Sequence, residues 1–158
     1  MKNCLLTIGL CLLFASVSAQ GEKEYSDEEL TKYASVMKWA KDEKAKMTGI
    51  YNGWIKSNDQ LEAALFVKIK RAGSDSVKLQ ELEVSEEELT AFNGIINSYD
   101  SMVSAFTDVY KGRIKDDIGA GLYNTLRKDL KKDETLKGRY DAIYEGLGES
   151  DPEEGTED

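Results

Sequence analysis

The sequence predicts an all-α protein, an antiparallel helical bundle built from two repeated hairpins, each a long helix followed by a shorter return. Three observations lead there. The chain repeats itself at a fixed offset of 59 residues, both copies carry apolar residues at helical spacing, and both copies open on the same helix-start device. Tyr25-Ser26-Asp27-Glu28-Glu29-Leu30-Thr31 returns as Val84-Ser85-Glu86-Glu87-Glu88-Leu89-Thr90, and residues 25–58 match 84–117 at ten of 34 positions without a gap. Repeat one covers about 25–73 and repeat two about 84–147.

The first long helix starts at Ser26. A serine with a glutamate three residues on forms a capping box, in which the hydroxyl accepts an orphan backbone N–H and the carboxylate reaches back to the cap. Ser85 with Glu88 repeats it, and the pairs Tyr25/Leu30 and Val84/Leu89 stand where a hydrophobic staple belongs. The acidic triplets Asp27-Glu28-Glu29 and Glu86-Glu87-Glu88 suit the positive end of a helix dipole.

From Leu30 the seam runs through Tyr33, Met37, Ala40, Lys44, Met47, Tyr51 and Trp54, interrupted only by the lysine. The second seam is Leu89, Phe92, Ile96, Tyr99, Val103, Phe106, Tyr110 and Arg113. Ile95, Met102 and Val109 add a neighbouring column, which predicts that the second long helix is covered on two sides and lies at the centre. Gly53 and Gly112 precede polar breaks at Ser57-Asn58-Asp59 and Asp116-Asp117. The first break leads into a return through Leu61, Leu65 and Ile69 that ends near Ala72-Gly73. The second leads into Leu122, Leu126 and Leu130, then after Asp133 into Leu136, Tyr140, Ile143 and Leu147. Gly73 to Glu83 is polar enough to read as a surface loop between repeats.

The ends read differently. Residues 1–19 have the layout of a signal peptide, with Lys2 at the start, an apolar run from Leu5 to Phe14 and a small-residue exit at Val17-Ser18-Ala19. That run is shorter than the ~20 residues a membrane-spanning helix requires. Cleavage before Gln20 removes both cysteines, leaving a mature chain without thiol or disulfide, whose stability must come from packing. Residues 20–147 are expected to form a single helical domain. Net charge is −9, but residues 20–147 carry twenty bases against twenty-four acids, so the excess acid lies mainly in the tail. Residues 148–158, with six acids, the only proline and almost nothing apolar, are expected to form a disordered acidic tail.

The composition removes most chemistries. There is no histidine, and with no mature cysteine the Ser-His-Asp and Cys-His mechanisms and the usual zinc, haem and copper ligands are missing. Gly119-Ala120-Gly121 lacks the preceding strand and third glycine of a nucleotide loop. Asn58-Asp59 and Asp116-Asp117 lack calcium-loop spacing. No carboxylate pair falls on an apolar face. The sequence therefore points to no enzyme, with no catalytic, cofactor-binding or metal-ligating residue and no cofactor.

The candidate interaction surface is Trp39, Lys44, Lys128, Lys131 and Lys132. Lys44 occupies a seam position whose counterpart is Val103, and reads either as a snorkelling lysine or as a buried amine. Trp39 stands off the seam opposite Ser98, and either packs under the return helix or offers an exposed sticky surface. Lys128, Lys131 and Lys132 share a face at helical spacing within a basic stretch that includes Arg127, Lys137 and Arg139. Asp129, Asp133 and Glu134 are interspersed there. These acids weaken the patch, and the net charge and the lack of a known module argue against nucleic acid; the patch reads first as a solvated face, alone or paired with the acidic tail, and otherwise as a contact for anionic envelope lipids or glycans.

Ser26-Asp27-Glu28-Glu29-Leu30-Thr31-Lys32-Tyr33-Ala34 and Asp133-Glu134-Thr135-Leu136-Lys137-Gly138-Arg139-Tyr140 resemble the two ends of the bacterial domain family of unknown function number 4168. That family opens on an S-D-x-E-L form and closes on a D-x-x-L-x-x-R element, here Asp133, Leu136 and Arg139. The resemblance implies an exported, small, helical protein of a Gram-negative bacterium, periplasmic or extracellular, and it implies no catalytic residues. This chain departs from the family pattern in its polar inter-repeat connection and acidic tail. The function expected is that of an exported, non-enzymatic binding module for a protein or envelope component. A carrier of a small apolar ligand or an envelope chaperone-like protein are the alternatives.

Overall fold

The computed structural model describes residues 24–148; the expected signal peptide and the acidic tail expected to be disordered lie outside the described residues. Within them the chain is all-helical, with no strand. Helix α1 (Asp27–Lys56) is followed by α2 (Ala63–Ala72), a short α3 (Ser76–Glu81) and α4 (Glu86–Arg113). A π-helical turn (Ile114–Ile118) then leads to α5 (Ala120–Asp129) and α6 (Glu134–Gly146). The two long helices run antiparallel. Met37 and Trp39 of α1 meet Tyr110 and Phe106 of α4, while Tyr51 near the end of α1 meets Tyr99. At about 1.5 Å per residue, α1 spans roughly 45 Å.

Both helix starts are built as their sequences dictate. The Ser26 hydroxyl accepts from the Glu29 N–H at 3.2 Å and the Glu29 carboxylate accepts from the Ser26 N–H at 2.9 Å. The corresponding distances at Ser85 and Glu88 are 3.2 and 2.8 Å. Helix α1 ends at Ser57, whose N–H and hydroxyl both donate to the Gly53 carbonyl at 2.9 Å. Asn58 then turns the chain by accepting the Gln60 N–H, and Leu61, 1% exposed, anchors the entry to α2.

The interior falls into two clusters at opposite ends of the α1/α4 pair. The first joins Tyr25, Leu30, Tyr33 and Val36 from the start of α1 to Ile118, Leu126 and Leu136, with Tyr110 and Ile114 from the end of α4 packed against them. The second joins Leu61, Phe66 and Ile69 to Ile95 near the start of α4, with Tyr51, Trp54 and Ile55 from the end of α1 packed on it. Each cluster thus combines the beginning of one long helix, the end of the other and the helix that follows that end.

Three expectations are corrected. The central helix is α1, not α4. Helix α1 buries Leu30, Tyr33, Ala34, Val36, Ala40 and Met47, whereas α4 buries only Ile95, and Val109, in the column meant to be covered, is 51% exposed. The cause is α6, which packs on α1 instead of α4. Arg139 pins it there, donating from Nη2 to the Tyr25 carbonyl at 3.0 Å and to Asp27 Oδ1 at 2.6 Å.

The second break is also displaced. Asp116-Asp117 do not interrupt the helix but widen it into the π turn, which closes when the Gly119 N–H donates to the Ile114 carbonyl at 2.9 Å. Gly119 sits at φ +84°, a conformation that glycine adopts without the Cβ penalty, so the direction change falls there. Lastly, the connection between the halves is not a plain loop. Asp75 accepts the N–H groups of Val77 and Lys78 and nucleates α3, from which Leu79 packs on the second cluster.

Candidate functional site

The five residues singled out from the sequence fall into two groups. Trp39 and Lys44 come together on the α1/α4 seam through Phe106. The half-buried Trp39 indole stacks on the Phe106 ring at 5.7 Å and 15°, and Phe106 stacks in turn on Tyr110 at 5.7 Å and 11°. Arg113 lies over the outer face of Trp39, its guanidinium carbon 4.5 Å from the ring centroid. Trp39 therefore packs on the other long helix, not beneath a return helix. Lys44 is exposed with Nζ 5.6 Å from the Phe106 centroid, so its stem covers the ring while its charge stays in water. At Tyr110 the strip turns inward. Its hydroxyl contacts Met37 Sδ at 3.6 Å and the Tyr123 hydroxyl at 3.2 Å, and burial pushes its ionisation well above the ordinary tyrosine range.

Lys128, Lys131 and Lys132 form the second group and line a concavity of about 300 Å³ with Asn124 and Arg127. They do not share one continuous helical face. Helix α5 stops at Asp129, and Lys131 and Lys132 follow in the turn, where the Lys132 and Asp133 N–H groups donate to the Asp129 carbonyl at 2.9 and 3.0 Å. The turn curls them back towards Asn124 and Lys128. Cations there also suit the negative end of the α5 dipole.

Two of the three acids interspersed in this stretch, Asp129 and Asp133, are engaged elsewhere. Asp129 Oδ2 accepts from the Tyr25 hydroxyl at 2.6 Å, and Asp133 Oδ1 caps α6 by accepting the Leu136 N–H at 2.9 Å. Burial and the hydrogen bond to Asp129 both raise the Tyr25 hydroxyl's ionisation. Among the described residues, the bases in ion pairs are Lys32, Lys46, Lys78, Lys137 and Arg139. None of them lines the concavity, which presents four cations and one amide with no carboxylate in its wall.

Two further grooves lie elsewhere on the surface of the described residues. One, of about 360 Å³, lies between α1 and α6 and is lined by Tyr33, Met37, Leu130, Tyr140, Asp141 and Tyr144. The other, of about 480 Å³, lies beside the second cluster, where Trp54, Asn58, Gln60, Thr90 and Ser98 present only neutral polar and aromatic groups. Among the described residues no cluster of three or more acidic, histidine or cysteine side chains is placed to hold a metal, and no helix is long and apolar enough to cross a membrane.

Sequence reasoning missed the contacts that organise these sites. Tyr25 to Asp129 and Asp27 to Arg139 join residues more than a hundred positions apart, and neither carries a periodic signal. Asp27 and Arg139 belong to two short strings near opposite ends of the described residues, and these strings meet in space. No protein-family model matches the chain, and no curated protein or solved structure matches it either.

Proposed function

We propose that this is an exported, non-enzymatic helical module that binds an anionic component of the bacterial envelope through the α5–α6 concavity. One observation carries the reading: Arg127, Lys128, Lys131 and Lys132 converge without a carboxylate, although Asp129 and Asp133 lie among them in sequence. Surface lysines on helical proteins commonly sit beside acids at i±3 or i±4, which neutralises them. Here Asp129 and Asp133 are engaged by other partners and no carboxylate lines the wall, which favours a positive potential in the concavity on a protein whose overall charge is negative. The non-enzymatic part rests on the lack of histidine and mature cysteine and on the direction of the carboxylate shifts. Glu28, Asp75 and Glu88 are all pushed down, by Lys32, by Lys78 and by the Ser85 cap respectively, the opposite of what a general acid needs.

Export follows from the signal-like residues 1–19, and a Gram-negative periplasmic or extracellular location from the likeness to the family of unknown function number 4168, which remains part of this proposal. So does the repeated-hairpin architecture. Its support is the matched make-up of the two clusters, in which Val36 and its counterpart Ile95 are both buried while Ile50 and its counterpart Val109 are both exposed. A carrier of a small apolar ligand is the second reading, favoured by the aromatic groove between α1 and α6. A chaperone-like role draws its support from the exposed Ile50 and Val109.

Vesicle flotation tests the leading reading. Mature protein should float with vesicles containing phosphatidylglycerol at low salt and less so at physiological salt, because the contacts are exposed and screened. It should stay at the bottom with pure phosphatidylcholine. Equal recovery with both, or none with either, would reject an anionic envelope lipid as the target.

A further inference from the structure

The groove between α1 and α6 is mainly aromatic and apolar, with one carboxylate, Asp141, in its lining. Its walls are aromatic and apolar: Tyr33 meets Tyr140 edge-on at 5.7 Å, Tyr140 meets Tyr144 at 5.8 Å, and Met37 and Leu130 complete the lining. At its rim, Lys38 and Lys41 of α1 bring their ammonium groups to 5.6 and 5.9 Å from the centre of the same Tyr144 ring. Neither lysine has an ion pair among the described residues. The carboxylate in the lining, Asp141, is held by Lys137 on its own helix. The Tyr33 and Tyr140 hydroxyls have no hydrogen-bond partner among the described residues, and burial keeps both protonated beyond the ordinary tyrosine range. What the groove offers is thus an apolar floor with hydroxyl groups, and at one end two cations without an ion pair among the described residues.

We infer that this groove binds an amphipathic monoanion, a ligand with one alkyl chain and one carboxylate-sized head, the chain lying against Tyr33, Met37, Leu130 and Tyr140 and the head between Lys38 and Lys41. The Tyr33 and Tyr140 hydroxyls can donate to a ligand that accepts, and an anion lying between the two ammonium groups at the Tyr144 ring relieves their mutual repulsion. The groove's volume of about 360 Å³ lies at the small end of the range for ligand sites, which fits one chain and excludes a two-chain lipid. The aromatic walls are set by their mutual packing, so little ordering accompanies binding. The inference rests on the carrier reading and names its ligand class. It is independent of the cationic concavity.

Calorimetric titration of the mature protein with dodecanoate, below its micelle concentration, and with dodecanol tests both levels separately. Dodecanoate should bind about tenfold more tightly than dodecanol, since only its head meets the two cations. Acetate should not bind. The Lys38→Gln/Lys41→Gln pair should bring dodecanoate down to the dodecanol level and leave dodecanol unchanged, with an unaltered helical spectrum confirming the fold. A Lys128→Gln/Lys131→Gln/Lys132→Gln variant should bind dodecanoate as the parent does. Equal binding of the acid and the alcohol would overturn the anionic head while leaving an apolar carrier, and binding of neither would end both. Loss of dodecanoate in the second variant instead of the first would move the site to the concavity and overturn the inference.

Discussion

Asp129 decides the character of the cationic concavity by not facing it. One hydrogen bond, from the Tyr25 hydroxyl at 2.6 Å, turns this carboxylate towards the start of α1 and leaves Lys128 and Lys132 unneutralised. Tyr25→Phe should therefore do two things. It should destabilise the fold by about 1.5 kcal/mol, the scale of a hydrogen bond to a charged group, read by denaturant unfolding. It should also weaken anion binding, because Asp129 is released towards the lysines. An unchanged stability would show that the bond contributes nothing. No local feature of the sequence announces this pair. Lys44 and the capping serines were legible, because a polar residue in an apolar seam and an S-x-x-E string declare themselves within a few positions. Tyr25 was legible as a staple residue, but its hydroxyl partner lies 104 residues away.

At the level of elements, the helix starts were the most readable features and the helix ends the least. Ser85→Ala should cost about 1 kcal/mol, because it leaves the Glu88 N–H without its acceptor and removes the hydroxyl that donates to the Glu88 carboxylate. Thermal unfolding of the variant measures it. The Ser85 N–H and hydroxyl hold the Glu88 carboxyl below its usual range, so this contribution is present at neutral pH and fades as acid protonates the group. The end of α4 was misread because Asp116-Asp117 look like a terminator, whereas a helix can absorb an extra residue as a π turn when a glycine follows to close it. Gly119→Ala tests that account. The Cβ meets open space, so any loss comes from the φ of +84° alone and should be about 1–2 kcal/mol. Gly121→Ala, nearby and without positive φ, should cost nothing comparable.

For the whole molecule, α1 serves both ends of an elongated bundle, and the two clusters are chemically unequal. Tyr25, Tyr33, Tyr110 and Tyr140 gather around the first, and burial is the leading cause that raises the ionisation of each. A raised folded-state value means the native state holds its protons more tightly. This stabilisation is complete below the ordinary tyrosine value of 10.0 and is lost as pH rises from there through the folded-state values. Alkaline titration followed by tyrosinate absorbance and circular dichroism should show these hydroxyls ionising only as helix is lost; free ionisation with helicity intact would contradict the packing.

The bundle, its long helices and their seams could be read from periodicity, which reports what each helix buries. Which helix lies at the centre could not. That depends on where α6 lands, and a helix with apolar residues at Leu136, Tyr140 and Ile143 can pack on either neighbour; here those residues join Leu30, Tyr33 and Val36 of α1.

Folding gathers Arg127, Lys128, Lys131 and Lys132 into one concavity, and the salt dependence of vesicle binding tests its proposed role. Binding to phosphatidylglycerol vesicles, measured for the parent and for the Lys128→Gln/Lys131→Gln/Lys132→Gln variant across a series of ionic strengths, separates a specific cationic site from diffuse charge. The parent's affinity should fall steeply with salt, while the variant should bind weakly and almost independently of it. A variant that binds with the parent's affinity and salt dependence would contradict it.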